Sequence, residues 1–171
     1  MKRTAKGCIN LAVLAIAAAI DARAQGTANV QETKTPRRIV VSIPDRKLML
    51  LEGDRVLKIY DVAVGKASTP SPHGEFTIVT RAINPVWKNV PPGPANPVGT
   101  RWLGLSVKGY GIHGTNAPGS IGTAASHGCI RMRNRDVEQL FELVSNGASV
   151  ELDEERPEIF AENNPQIVKG E

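Results

Sequence analysis

Ser126-His127-Gly128-Cys129-Ile130-Arg131-Met132-Arg133-Asn134 is the stretch from which the rest of the chain can be read, and His113-Gly114 stands sixteen residues upstream of its cysteine. An unperturbed thiol, with a pKa of about 8.5, is mostly protonated at neutral pH, so a nucleophilic Cys129 needs a base beside it. Histidine is the side chain best matched to that task. His127 is only two residues away, and on an extended segment its ring sits alongside the sulfur without necessarily reaching it. His113 ends a strand-like run after Gly109, Tyr110 and Gly111, and the intervening residues are ample to bring a neighbouring segment beside it. His113 is therefore assigned as the base that ionises Cys129. No Asp or Glu lies between Glu75 and Asp136 to orient the ring, which leaves a backbone carbonyl, and that of Gly114 is the nearest. Gly128 lets the chain turn sharply and brings peptide N–H groups close to a reacting carbonyl, as an oxyanion hole requires. Arg131, one alternation beyond the sulfur, is placed to pair with a substrate carboxylate.

Downstream of this stretch, Val137, Leu140, Phe141 and Val144 fall at i, i+3, i+4 and i+7 and predict one amphipathic helix. Asn134 is expected to cap it, Asp136 suits its first turn, and Asn146-Gly147 supplies the stop. Ala148 to Leu152 is expected to close the fold as a strand. Upstream, residues 37–43, 47–52, 56–64, 74–82, 102–107 and 110–112 are short runs rich in β-formers, set apart by turns such as Pro44-Asp45 and Gly53-Asp54. The fold class is mainly β, with one main helix after the cysteine. Thr69-Pro70-Ser71-Pro72 interrupts the rhythm, and residues 84–99 carry five prolines around Trp87. This second loop is read as a lid, a groove wall or a passive surface loop.

The composition, 41% hydrophobic and 22% charged with 16 Gly and 12 Pro, excludes a disordered chain and a coiled coil. The formal charge of +4 suggests nucleic-acid binding until it is divided. Lys2, Arg3, Lys6 and Arg23 against Asp21 place three of those charges in the first 24 residues, leaving +1 for the remainder, so no nucleic-acid partner is expected. That basic start, the apolar run from Cys8 to Ile20 and Ala22-Arg23-Ala24 have the layout of an export signal cleaved near Ala24. The run is too short to span a bilayer as a helix, and Cys8 precedes it instead of closing it, which argues against lipidation there. Export leaves Cys129 as the sole cysteine, so no internal disulfide forms. Residues 25–36 read as a tether, 37–152 as the domain, and 153–171 as a loosely attached polar tail.

The run from His113 to Asn134, with Ser126-His127-Gly128-Cys129 at its centre, resembles the signature of the L,D-transpeptidase catalytic domain, the YkuD-type fold. Thr69-Pro70-Ser71-Pro72-His73-Gly74-Glu75-Phe76 resembles the Thr-Pro-rich turn preceding a strand in the same family, and the likeness spans roughly 39 to 152. The resemblance implies a mainly β, YkuD-like β-sandwich in which the cysteine attacks a peptidoglycan stem peptide at the bond after its third residue, a diamino acid, releasing a terminal D-alanine. The thioester then passes to an amine on a second stem, giving a 3-3 cross-link, to a lysine of an envelope protein, or to water. By resemblance Cys129 is the nucleophile, His113 the base and Gly114 the residue whose carbonyl orients it, at a position often serine in relatives. Ser126, His127, Gly128 and the Cys129 amide fall among the oxyanion and substrate-binding positions, with Arg131 on the substrate side. No metal or organic cofactor is implied. The resemblance places the mature protein in the bacterial periplasm or cell envelope, serving cell-wall biogenesis and cell shape, with carbapenems as covalent inhibitors.

Other readings compete. Water as acceptor makes the same residues an L,D-carboxypeptidase, and a catalytically silent wall-binding module would keep the fold alone. His113, His127 and Cys129 also form a nominal zinc set, though without tight pair spacing beyond 127 and 129. Cys129 read blandly is a small buried residue. His73 reads as an exposed loop residue, Arg133 and Arg135 as solvated, Trp102 as core, and Trp87 as either a lid anchor or a surface residue.

Overall fold

The segments Arg37-Arg38-Ile39-Val40-Val41-Ser42 and Lys47-Leu48-Met49-Leu50-Leu51-Glu52 are apolar on both alternations. Each becomes a strand buried on both faces, β1 (Arg37–Ser42) and β2 (Lys47–Glu52), paired antiparallel. β3 (Arg55–Asp61) returns along β2 after the turn at Gly53. The computed structural model describes residues 35–163. The segment read as an export signal, 1–24, and nearly all of that read as a tether therefore lie outside the described residues. Further along come β4 (Val64–Gly65), β5 (Gly74–Ile83), β6 (Arg101–Leu105), β7 (Gly111–His113), β8 (Ala124–Ser126) and β9 (Ile130–Arg131). Helix α1 (Asn134–Leu143), β10 (Ser149–Asp153) and a short helix α2 (Glu158–Asn163) complete the domain.

Eight strands form one sheet in the order β3-β2-β1-β10-β5-β6-β7-β9, while β4 and β8 pair separately. Strand β5 serves both halves: residues 74–77 pair with β10 and residues 78–83 with β6, with a register shift between Ile78 and Thr80. Such irregularities bend a strand and turn a sheet's corner. The sheet curls there, and its two inner faces share one core. Ile39, Val41, Leu48 and Leu50 from one half join Leu103, Ile112 and Ile130 from the other, with Val137, Leu140 and Phe141 of α1 packed among them. The mainly β class with one main helix is the observed architecture.

Two expectations are corrected here. Asn134 is the first residue of α1 and does not cap it; Arg133 holds the cap position with no side-chain bond. The Asn134 Oδ1 instead accepts from the Thr115 N–H at 3.0 Å and the Thr100 N–H at 3.4 Å, serving two neighbouring segments rather than its own helix. The segment after 152 is not loosely attached over its described part. Phe160 of α2 is 0% exposed against Val40, Met49 and Leu51, the outer faces of β1 and β2. Arg156 grips Asp45 through two nitrogens, with contacts of 2.7 to 3.0 Å. A strand pair apolar on both faces needs a cover on each, and α2 supplies the second.

Candidate active site

Parallel pairing of β7 with β9 sets Ile112 opposite Ile130 and His113 opposite Arg131. The two isoleucines are in the core, so strand alternation turns His113, Arg131 and the position of Cys129 to the other face. Cys129 lies two residues before His113's register partner, a diagonal of about 8 Å between backbones given the strand spacing and rise, within side-chain reach. His113 and Cys129 open onto one cavity of about 470 Å³. Trp87, Lys88 and Val98 form its far wall, and His127 and Arg131 complete the near one.

His113 is 4% exposed. Its Nδ1 lies 2.5 Å from the Gly114 carbonyl. A carbonyl only accepts, so the proton is on Nδ1 and the Nε2 lone pair is free to act as base. Burial holds the imidazole down at about 4, against a smaller upward pull from the Gly114 carbonyl, and the Arg131 charge adds to the lowering. Burial likewise pushes the Cys129 thiol up, against the opposing pulls of the Gly111 backbone and Arg131. The resting pair is therefore a thiol and a neutral imidazole. This departs from the ion pair expected from the residues alone.

The cysteine loop is tied by Ser126, whose buried hydroxyl accepts from the Gly128 N–H at 2.9 Å and donates to the Cys129 carbonyl at 2.6 Å. Ser126 thus shapes the loop through both bonds, and the Gly128 N–H is already engaged. That corrects the expectation of Gly128 as an oxyanion donor. The Cys129 N–H has no acceptor among the described residues and remains available. Gly128 adopts φ +109°, and a Cβ there would stand 2.5 Å from Tyr110 Cε1 and 3.0 Å from the Pro70 carbonyl oxygen. Both the conformation and the space demand glycine. The Thr-Pro-rich turn packs beneath: the Thr69 hydroxyl donates to the Ser126 carbonyl at 3.3 Å, and the Ser71 hydroxyl accepts from the Gly65 N–H at 2.9 Å.

The far wall is built rather than slack. Buried Asn96 donates to the Pro85 and Pro91 carbonyls at 2.7 and 3.3 Å and accepts from the Val98 N–H at 3.0 Å. Trp87 and Val90 exchange backbone bonds of 3.0 and 2.8 Å around Lys88 and Asn89, both at positive φ. Trp87 packs on Trp102, and Trp102 stacks on His113, each pair with ring centroids 5.5 Å apart. Trp102 is thus at the site's edge and not in the core. Nothing in its local sequence marks this; the signal is in Gly104 and Gly111, which leave it room. A side chain at Gly114 would collide with Asn134 Oδ1, so glycine at that position fits this chain's own clamp.

Arg131 makes no ion pair with a carboxylate among the described residues. It faces the cavity with its charge uncompensated by protein, suited to an anionic ligand. His127 is exposed on the cavity wall, and no group of three metal-binding side chains gathers among the described residues. Arg133, expected to be solvated, instead reaches Asp61 at 3.4 Å and Asp136 at 3.6 Å. Exposed His73 lies 3.0 Å from Glu154.

The family description of the YkuD L,D-transpeptidase catalytic domain matches residues 36–152. The putative L,D-transpeptidase YkuD of Bacillus licheniformis is 51% identical over 117 residues, covering 68% of this chain and 66% of that protein. The putative L,D-transpeptidase YqjB of Bacillus subtilis is 40% identical over 120 residues, covering 66% and 68% respectively. Among solved structures, an Enterococcus faecium L,D-transpeptidase superposes with a TM-score of 0.60 at 23% identity over 69% of this chain and 50% of that one. The L,D-transpeptidase LdtMt1 in complex with imipenem gives 0.58 at 22% identity over 68% and 58%. These structural likenesses establish the curled-sheet fold, and the sequence matches go further: the chain belongs to the YkuD family of L,D-transpeptidase catalytic domains.

Proposed function

We propose that this chain is a cysteine-dependent acyltransferase that acts on peptidoglycan stem peptides. One observation carries the reading: the His113 Nδ1 proton is held by the Gly114 carbonyl, which frees Nε2 inside the cavity that Cys129 also lines. In the first half-reaction Nε2 takes the Sγ proton as sulfur attacks the carbonyl carbon of the third stem residue. The Cys129 N–H receives the oxyanion. The C–N bond breaks, His113 returns its proton to the departing D-alanine amine, and a thioester remains. In the second, an amine of another stem attacks the thioester and gives its proton to His113. The sulfur leaves and is reprotonated, and a 3-3 peptide bond has formed. Arg131 pairs with the donor's terminal carboxylate, in a cavity whose contributing segments between 76 and 135 contain no acidic residue.

The mature protein incubated with tetrapeptide-bearing muropeptides is expected to give 3-3 dimers, seen by mass spectrometry and absent with Cys129→Ala. Tripeptides without dimers would identify water as the acceptor. A folded, reduced protein that yields neither product overturns the reading. We extend it to the leader, which directs export to the bacterial envelope with cleavage near Ala24, and to carbapenems as acylating inhibitors of Cys129. A relative in complex with imipenem supports the latter.

A further inference from the structure

His113 is held at one edge by the Gly114 carbonyl, but a single hydrogen bond leaves a ring free to rock about it. The face of the ring is held separately. Antiparallel pairing of β6 with β7 sets Trp102 directly opposite His113, and the indole lies over the imidazole with centroids 5.5 Å apart and planes 20° apart. The indole reaches this position because two strand residues around it have no side chain. A Cβ at Gly111 would stand 2.7 Å from Trp102 Cζ2, and one at Gly104 would stand 2.8 Å from its Nε1. Trp87 of the proline-rich wall then covers Trp102, with centroids 5.5 Å apart. The charged and titratable groups that share His113's cavity are His127, Cys129 and Arg131 from the near wall and Lys88 from the far one; no carboxylate occurs between residues 76 and 135 to balance an imidazolium.

We propose that Trp102 is the positioning residue of the base: it fixes the plane of the His113 ring and, covered by Trp87, keeps water from its face. This rests on the reading of His113 as base. It adds that the wall and the base are one unit, so the ring's basicity depends on the aromatic layer of Trp102 and Trp87.

The test is NMR titration of the full chain, with the His113 signals assigned by a His113→Gln variant, alongside the pH profile of Cys129 acylation by imipenem. In the wild type, burial of the ring is expected to hold the His113 midpoint down at about 4. In Trp102→Leu its midpoint is expected to rise toward the free-imidazole value of about 6.5, with the acid limb of acylation moving in parallel. Trp102→Phe is expected to restore the wild-type midpoint. A folded Trp102→Leu protein whose His113 midpoint stays put, or falls as loss of a cation–π contact would make it, overturns the proposal. Should Trp102→Leu fail to fold, Trp87→Ala makes the same test at a half-buried loop residue, and absence of an upward shift there overturns it equally. The titration does not depend on turnover. Shifted midpoints in a protein inert toward stems and imipenem would count against the acyltransferase reading and not against the positioning role.

Discussion

The chemistry at Cys129 depends on which partner carries the proton before substrate arrives. Burial disfavours both the imidazolium and the thiolate, so the pair rests neutral, and in the proposed reaction it is the neutral His113 that serves as base. Acylation of Cys129 is therefore expected to hold its rate down to about pH 5 and to fail only as pH approaches about 4, which a pH series of imipenem acylation checks. An acid limb near 6.5 would mean a solvated imidazole. Gly128→Ala puts a methyl group against Tyr110 at φ +109°; displacement of the sulfur by even 1 Å is expected to cost on the order of 100-fold in acylation rate. That His113, Cys129 and the Gly114 carbonyl gather at one cavity was legible, because a cysteine, a histidine at a workable separation and the absence of nearby carboxylates are all properties of the sequence. The engagement of Ser126 and of the Gly128 N–H was not, because both depend on how a four-residue loop closes on itself. Trp102 was missed for a related reason, since its neighbours His113, Gly104 and Gly111 meet only once β6 and β7 pair.

Among the elements, those long enough to show a period were readable. β5 and the apolar stripe of α1 stand where alternation and the 3.6-residue spacing put them, and β2 where an unbroken apolar run between turn residues put it. β8 and β9, of 3 and 2 residues, are too short to carry a period, yet β9 sets the register of the site. Helix α2, of 6 residues, was hidden by its polar, proline-flanked context, although the two-faced apolar runs of β1 and β2 already called for a cover. Phe160→Ala is expected to destabilise the domain by about 3 to 5 kcal/mol in urea unfolding, while the folded fraction keeps its acylation rate. A change below about 0.5 kcal/mol would mean that α2 is not docked in solution. Asn134→Ala removes the acceptor shared by the Thr100 and Thr115 N–H groups and is expected to cost about 1 to 3 kcal/mol. Because Thr115 adjoins Gly114, a lower acylation rate is expected to accompany that loss.

The molecule as a whole keeps a neutral histidine buried at its working face, and stability bears the consequence. The folded-state value of about 4 lies below the unfolded value of 6.5, so between these limits the unfolded chain binds more protons. Stability is then expected to be fully present above about pH 6.5 and to be lost as pH falls toward 4, by about 3 kcal/mol in total. His113→Gln is expected to flatten this part of the pH dependence in denaturant titrations; an unchanged slope would place the proton uptake elsewhere. The most direct test of the central claim is intact-mass measurement of the reduced wild type and of Cys129→Ala after exposure to imipenem. The expected result is a single covalent adduct on the wild type and none on the variant. An adduct on folded Cys129→Ala, or none on folded, reduced wild type, would contradict acylation of Cys129.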